Sequence, residues 1–139
     1  MYSLDVSKQR KHTKVKLVDN VCVVTFDSPG SKVNSLSREV VEEFQELLNG
    51  IESDPGVSST VLISGKPDMF IAGADINMLA ACKTKEEVMG LSKSAQDILA
   101  RVEQSSKPYV AAIQGSCLGG GLEVALACHY RLAMKGMKS

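Results

Sequence analysis

Residues 109–130, YVAAIQGSCLGGGLEVALACHY, restrict what this chain can fold into more than any other stretch. Tyr109 to Ile113 is an apolar run suited to a buried strand, and Leu122 to Cys128 suits a buried helix. Between them, Gly115 and the consecutive Gly119, Gly120 and Gly121 suit a turn that needs unusual backbone angles or close approach to another group. A strand that breaks into glycine and restarts as a helix lays bare backbone N–H groups at the helix start. The unpaired donors and the positive end of the helix dipole suit an oxyanion, or a carbonyl oxygen that gains negative charge during reaction. Glu123, in the first turn, is the only acidic residue between Glu103 and the C-terminus. On pattern alone the stretch fits two readings: such an anion site, or a glycine-lined contact between helix and strand with Glu123 favourable to the dipole.

Several chemistries are disfavoured. The glycine spacing is not GxGxxG, no Lys-Ser or Lys-Thr follows it, and no GxSxG is present, so dinucleotide, Walker A and serine-hydrolase loops lack support. Cys22, Cys82, Cys117 and Cys128 lie far apart without a CxxC pair, and His12 and His129 form no cluster, so no metal site is expected. The cysteines read as small buried apolar residues in a reducing compartment. Cys117 beside the glycines is a nucleophile only if a base partners it, and neither histidine offers a pattern for that. Lys plus Arg and Asp plus Glu balance at 16 each, which gives no electrostatic case for nucleic acid or an anionic membrane. Gln114, Glu123 and the glycines interrupt the apolar run and argue against a membrane span. At 139 residues a single domain is expected, with residues 1–14 as a basic, solvated tail and 15–139 as the folded part.

Val15 to Val18 and Val21 to Phe26 read as strands around an Asp19-Asn20 turn, closed by Ser28-Pro29-Gly30-Ser31. From Leu36 the apolar set Leu36, Val40, Val41, Phe44, Leu47, Leu48 and Ile51 has helical spacing, stopping at Asn49-Gly50 and Asp54-Pro55-Gly56. Thr60 to Ser64 suits a buried strand and Gly65 to Asp68 a turn. Met69 to Ile76, MFIAGADI, passes from apolar to small residues and then to Asp75, a helix-capping type, a second place where backbone donors are open to a ligand. Thr84 and Glu87 form a capping-box pattern, and Val88, Leu91, Ala95, Ile98, Leu99 and Val102 give the next helix one buried face, ended by Lys107-Pro108. The order is that of an α/β fold with right-handed crossovers.

Two blocks, MFIAGADINMLAACKT at 69–84 and KPYVAAIQGSCLGGGLEVALACHYRLA at 107–133, resemble in wording and separation the crotonase (enoyl-CoA hydratase and isomerase) superfamily. SPGSKVNSLS fits that family's early CoA-pocket loop. Within the family the wording lies nearest the N-terminal hydratase region of mitochondrial alpha subunits of trifunctional type. The resemblance implies the N-terminal part of a crotonase-like ββα spiral. It implies an oxyanion hole made of the N–H groups of Ala74 and Gly120, substrate contacts from Ala74, Asp75, Ile76, Asn77 and Gly119, and Glu123 as the catalytic carboxylate. The implied substrate is acyl-CoA, with no resident cofactor.

The implied reaction is addition of water to a trans-2-enoyl-CoA, long-chain by the closeness of wording, in fatty acid β-oxidation. Hydratases of this kind carry a second glutamate on a following helix, at a position beyond Ser139, so an impaired activity is expected of these residues alone. The later turns of the spiral and the NAD site of the complete trifunctional-type subunit also lie outside them, and a fragment is the expectation. The alternatives are a non-catalytic piece that keeps part of the acyl-CoA pocket or subunit surface, and an enoyl-CoA isomerase. Implied partners are further copies of the chain or a thiolase beta subunit, with inner-membrane association only through the full complex. The implied location is mitochondrial, although residues 1–13 lack an Arg-rich amphipathic leader.

Overall fold

The computed structural model describes residues 3–137. Two β-branched runs, β1 (Thr13–Val18) and β2 (Val21–Phe26), pair antiparallel around Asp19 and Asn20, which take φ values of 49° and 66°. Both angles are left-handed, as a tight two-residue hairpin demands, and Asp and Asn are the non-glycine residues that tolerate them best. Alternation in β2 turns Cys22, Val24 and Phe26 into the core.

After the loop that follows β2, a two-residue strand β3 (Ser35–Leu36) leads into α1 (Arg38–Ser53). Ser37 is the N-cap, its hydroxyl accepting from Val40 N at 3.2 Å. Leu36 is therefore strand, not the first turn of the helix: the serine cap behind it sets the start. The helix also runs through Asn49-Gly50 to Ser53, because Gly50 serves a close contact, with Leu4 Cα 3.3 Å from the place its Cβ would occupy. Val40, Phe44, Leu47, Leu48 and Ile51 bury one face, and Phe44 meets Phe26 edge-on at 5.8 Å.

The chain continues through β4 (Ser59–Ser64), β5 (Met69–Ile71), β6 (Gly73–Ala74), the short helix α2 (Ile76–Ala80) and the long helix α3 (Lys85–Gln104). It closes with β7 (Tyr109–Ile113), β8 (Ser116–Cys117), α4 (Gly120–Ala127) and β9 (Tyr130–Ala133). One sheet has the order β1-β2-β4-β7-β9, parallel from β2 onward. Two small parallel pairs, β3 with β6 and β5 with β8, lie apart from it. They fasten the loops at the ends of the main strands to one another, which is where the glycine-rich segments lie.

Two further expectations are modified. Residues 3–12 are mostly exposed, as a solvated tail would be, but are anchored to the folded part: Leu4 is 8% exposed, its N–H donates to Asp54 Oδ2 at 3.0 Å, Lys8 pairs with Glu46, and His12 N donates to Glu43. The basic residues there answer the acidic outer face of α1, and β1 already begins at Thr13. The predicted buried face of α3 holds only in its second half, where Ile98 and Val102 are buried, while Val88 is 44% exposed and Ala95 is also open. Residues 85–90, its first turns, are all exposed. Beyond His129, β9 adds an edge strand beside β7.

Candidate active site

The backbone at the start of α4 can be built only with glycine at several points. Gly119 has φ 49° and ψ −122°, an angle pair that L side chains rarely adopt. A Cβ on Gly121 would lie 2.3 Å from Ile71 O, and one on Gly115 would lie 2.0 Å from the backbone carbon of Asp68. These contacts seat the β7–α4 connection directly against the strand that leads to β6. Leu118 N donates to Ile71 O at 3.1 Å and Ser116 N to Asp68 O at 3.0 Å, so the approach is hydrogen-bonded along its length.

Gly73, with φ 123°, brings β6 to the same place. The point where its Cβ would sit is 3.6 Å from Gly120 N, and the corresponding point on Gly120 is 3.7 Å from Ala74 N. Gly121 N and Leu122 N turn back to Leu118 O, and Glu123 N to Gly119 O. The Gly120 N–H at the helix mouth makes no hydrogen bond among the described residues. The two segments singled out in the sequence therefore meet backbone to backbone.

Two hollows flank this meeting point. A cleft of about 520 Å³ runs between the loop after β2 and α2, lined by residues that include His12, Ser28, Pro29, Arg38, Asp75 and Asn77. A smaller apolar cavity of about 60 Å³ lies among α1, α3 and α4, lined by Leu36, Val41, Phe44 and Ile98 with Gly120 and Glu123. Glu123 is an exposed residue at the cavity's edge and, among the described residues, the only acidic one lining it. Asp75 caps α2, its carboxylate accepting from Asn77 N at 2.8 Å and Met78 N at 3.4 Å, so it is engaged in holding the cleft wall. Ile76 is 79% exposed and Asn77 is exposed, both on the open side of that wall.

The other nucleophile and ligand candidates fall elsewhere. Burial pushes the Cys117 thiol above its ordinary value, and pushes Cys128 to about 12 and Cys22 to about 11. None of the three environments favours a thiolate. His12 lies between Ser28 Oγ and Glu39 Oε2, and His129 Nδ1 accepts from Tyr109 N at 3.0 Å, so neither addresses Cys117. Among the described residues no three His, Cys, Asp or Glu side chains are grouped to hold a metal ion. No described helix is long and apolar enough to cross a membrane.

Residues that the sequence reading treated as core also serve the site. Leu36 and Ile98 are counted by their spacing as packing positions, yet they wall the cavity beside Gly120. Asn34, in the SPGSKVNSLS block after β2, has no individual role in the sequence reading, yet it is only 3% exposed and makes several hydrogen bonds. A polar residue directly before a strand and a helix cap was the one available signal.

A glycine-built backbone junction thus lies beside a carboxylate on a mostly parallel α/β scaffold. The enoyl-CoA hydratase/isomerase family matches residues 17–136, and the chain belongs to that family. It is 44% identical over 134 residues to the fatty acid oxidation complex subunit alpha of Idiomarina loihiensis, covering 96% of this chain and 19% of that protein. The subunit of the same name from Shewanella loihica is 45% identical over 130 residues, covering 94% and 18%. The chain thus spans about a fifth of the length of these curated relatives. The crystal structure of an enoyl-CoA hydratase from Geobacillus kaustophilus matches with a TM-score of 0.83 at 28% identity, over 91% of this chain and 47% of that one. The expected crotonase-like α/β fold is thereby established.

Proposed function

We propose that residues 15–139 form part of an enoyl-CoA hydratase domain that binds an acyl-CoA thioester and adds water to a trans-2-enoyl-CoA. One observation carries this reading: the Gly73-Ala74 and Gly119-Gly120 backbones meet beside Glu123 at the edge of an apolar cavity. The amides of Ala74 and Gly120 hold the thioester oxygen. The first carbons of the acyl chain face the small apolar cavity, and the CoA portion lies along the cleft between the loop after β2 and α2. Addition of water to carbon 3 builds negative charge on the thioester oxygen, and two fixed N–H donors lower the energy of that enolate. Glu123 orients the water and takes its proton as general base.

Among the described residues Glu123 is the single carboxylate on the cavity wall, which supports the reading that proton delivery to the α carbon has no second acid there and that turnover by these residues alone is slow. The wording of the chain supports a long-chain substrate and a place in fatty acid oxidation. The two curated relatives are by name alpha subunits of a complex, which supports assembly with a partner such as a thiolase beta subunit. The mitochondrial setting carried by the sequence resemblance belongs to the same proposal, and fractionation of the source cells tests it.

The functional test is loss of the conjugated enoyl absorbance on incubation with trans-2-enoyl-CoA, with Glu123→Gln in parallel. The expected result is slow hydration that falls by roughly 10²- to 10⁴-fold in the variant while acyl-CoA binding persists. Unchanged turnover in the variant, or double-bond migration in a 3-enoyl-CoA without hydration, would refute the assignment.

A further inference from the structure

Asn34 links the loop of the large cleft to the segment that leads into β6. Its Oδ1 accepts from Ser28 N at 3.0 Å, which closes the loop that walls the large cleft. Its Nδ2 lies within bonding distance of Phe26 O at 2.9 Å, Ser64 Oγ at 3.0 Å and Phe70 O at 3.1 Å, so one buried amide ties the ends of β2 and β4 to β5. Its own carbonyl accepts from Ala72 N at 2.8 Å, immediately before the β3–β6 pair, in which Leu36 lies opposite Ala74 and Leu36 O receives Asp75 N at 3.3 Å. The residue thus connects the main sheet to the two-residue strand that carries the Ala74 amide.

A ladder of two residues has little to hold its register by itself, and the donor on it is useful only if it stays within about half an ångström of its target. We propose that Asn34 is the positioning residue for the Ala74 N–H: its side chain fixes β3 against the strand ends, and β3 in turn fixes β6 opposite Gly120. This inference rests on the reading of Ala74 and Gly120 as thioester oxygen donors. The same amide ties the loop of the CoA cleft to that donor, so loosening Asn34 disturbs carbonyl polarisation before it disturbs overall affinity.

The test uses the full chain with 2,4-hexadienoyl-CoA, whose conjugated thioester absorbs at longer wavelength when hydrogen bonds draw charge toward its carbonyl oxygen. Asn34→Asp keeps the acceptor toward Ser28 N and loses the donors; Ser64→Ala removes one acceptor and is the milder change. At saturating ligand the unaltered chain is expected to show a red shift. Asn34→Asp should lose half of it or more with affinity within tenfold, and Ser64→Ala should lose a smaller part. A full red shift in bound Asn34→Asp would overturn the inference, and if that variant does not fold by circular dichroism, a full shift in Ser64→Ala overturns it equally. Absence of the shift in the unaltered chain would refute the thioester reading itself. Hydrogen exchange then still judges the positioning role: the amides of Ala72 and Asp75 should exchange faster in the variants while those of β7 do not, and unchanged exchange would reject it.

Discussion

The backbone nitrogen of Ala74 lies 3.7 Å from the point where a Cβ on Gly120 would project, and that same point is 2.9 Å from Leu36 Cδ1. A methyl group placed there comes into van der Waals contact with the Ala74 amide nitrogen. Leu36 is the far end of a flexible side chain and can give way, so Gly120→Ala should fold with little change in melting temperature. Its affinity for acyl-CoA should fall tenfold or more, about 1.4 kcal/mol. Calorimetric titration beside thermal unfolding checks both halves.

Gly121 and Gly90 give opposite expectations from the same substitution. At Gly121 the added carbon would sit 2.3 Å from Ile71 O and 2.8 Å from Ile71 Cβ, with backbone on one side that cannot step back. Gly121→Ala should destabilise by about 2–3 kcal/mol, the cost of overpacking a filled site. At Gly90, inside α3, nothing lies within 4 Å. Gly90→Ala should stabilise by about 0.5–1 kcal/mol through helix propensity alone. Urea unfolding of the two variants decides the signs.

Lys66 donates to Asp27 at 2.9 Å, and this hydrogen bond holds the Asp27 carboxyl below its ordinary 3.8, with Lys14 adding attraction at 3.6 Å. Lys66 also donates to Ser28 O, at the root of the cleft loop. A depressed carboxylate contributes stability that is present above its unfolded-state value and is lost as pH falls through the folded-state one. Asp27→Asn should therefore cost on the order of 1 kcal/mol at pH 7. The difference should shrink as pH drops below about 4, as measured by unfolding at a series of pH values.

Much of the frame was legible because its signals are local. Asp19-Asn20 announces a hairpin between two β-branched runs, and Thr84 and Asp75 cap the helices expected of them. The glycines at 119–121 were readable as a close approach, though not whose backbone they approach, because Ile71 and Ala74 are about fifty residues earlier and no periodicity links them. β3, β5, β6 and β8 are too short for a pattern of alternation, and each exists only through its distant partner. The spacing of α3 marks an apolar face over its whole length, yet spacing cannot say how far along the helix a neighbour extends. The role of Asn34 is illegible for the same reason, since its partners Phe26, Ser64 and Phe70 come together only after the sheet has formed.

The buried thiols make an alkaline prediction. Cys22 and Cys128 titrate near 11 and 12 in the folded chain against 9.0 when unperturbed, because burial penalises the thiolate. A raised folded-state value means stability that is complete below the unfolded pKa and is lost as pH rises through the folded one. Stability should therefore fall between about pH 9 and pH 12, by up to ~1.4 kcal/mol per pH unit for each thiol. At pH 8 a thiol reagent should label partly exposed Cys82 and Cys117 in the native chain, and reach Cys22 and Cys128 only on unfolding.

The most direct test of the central claim is a crystal structure of the chain with a saturated acyl-CoA, which binds but offers no double bond to hydrate. The thioester oxygen should lie about 2.7–3.1 Å from both Ala74 N and Gly120 N, with its β carbon facing Glu123. An oxygen held by neither amide, or a thioester bound away from the β6–α4 junction, would contradict the account.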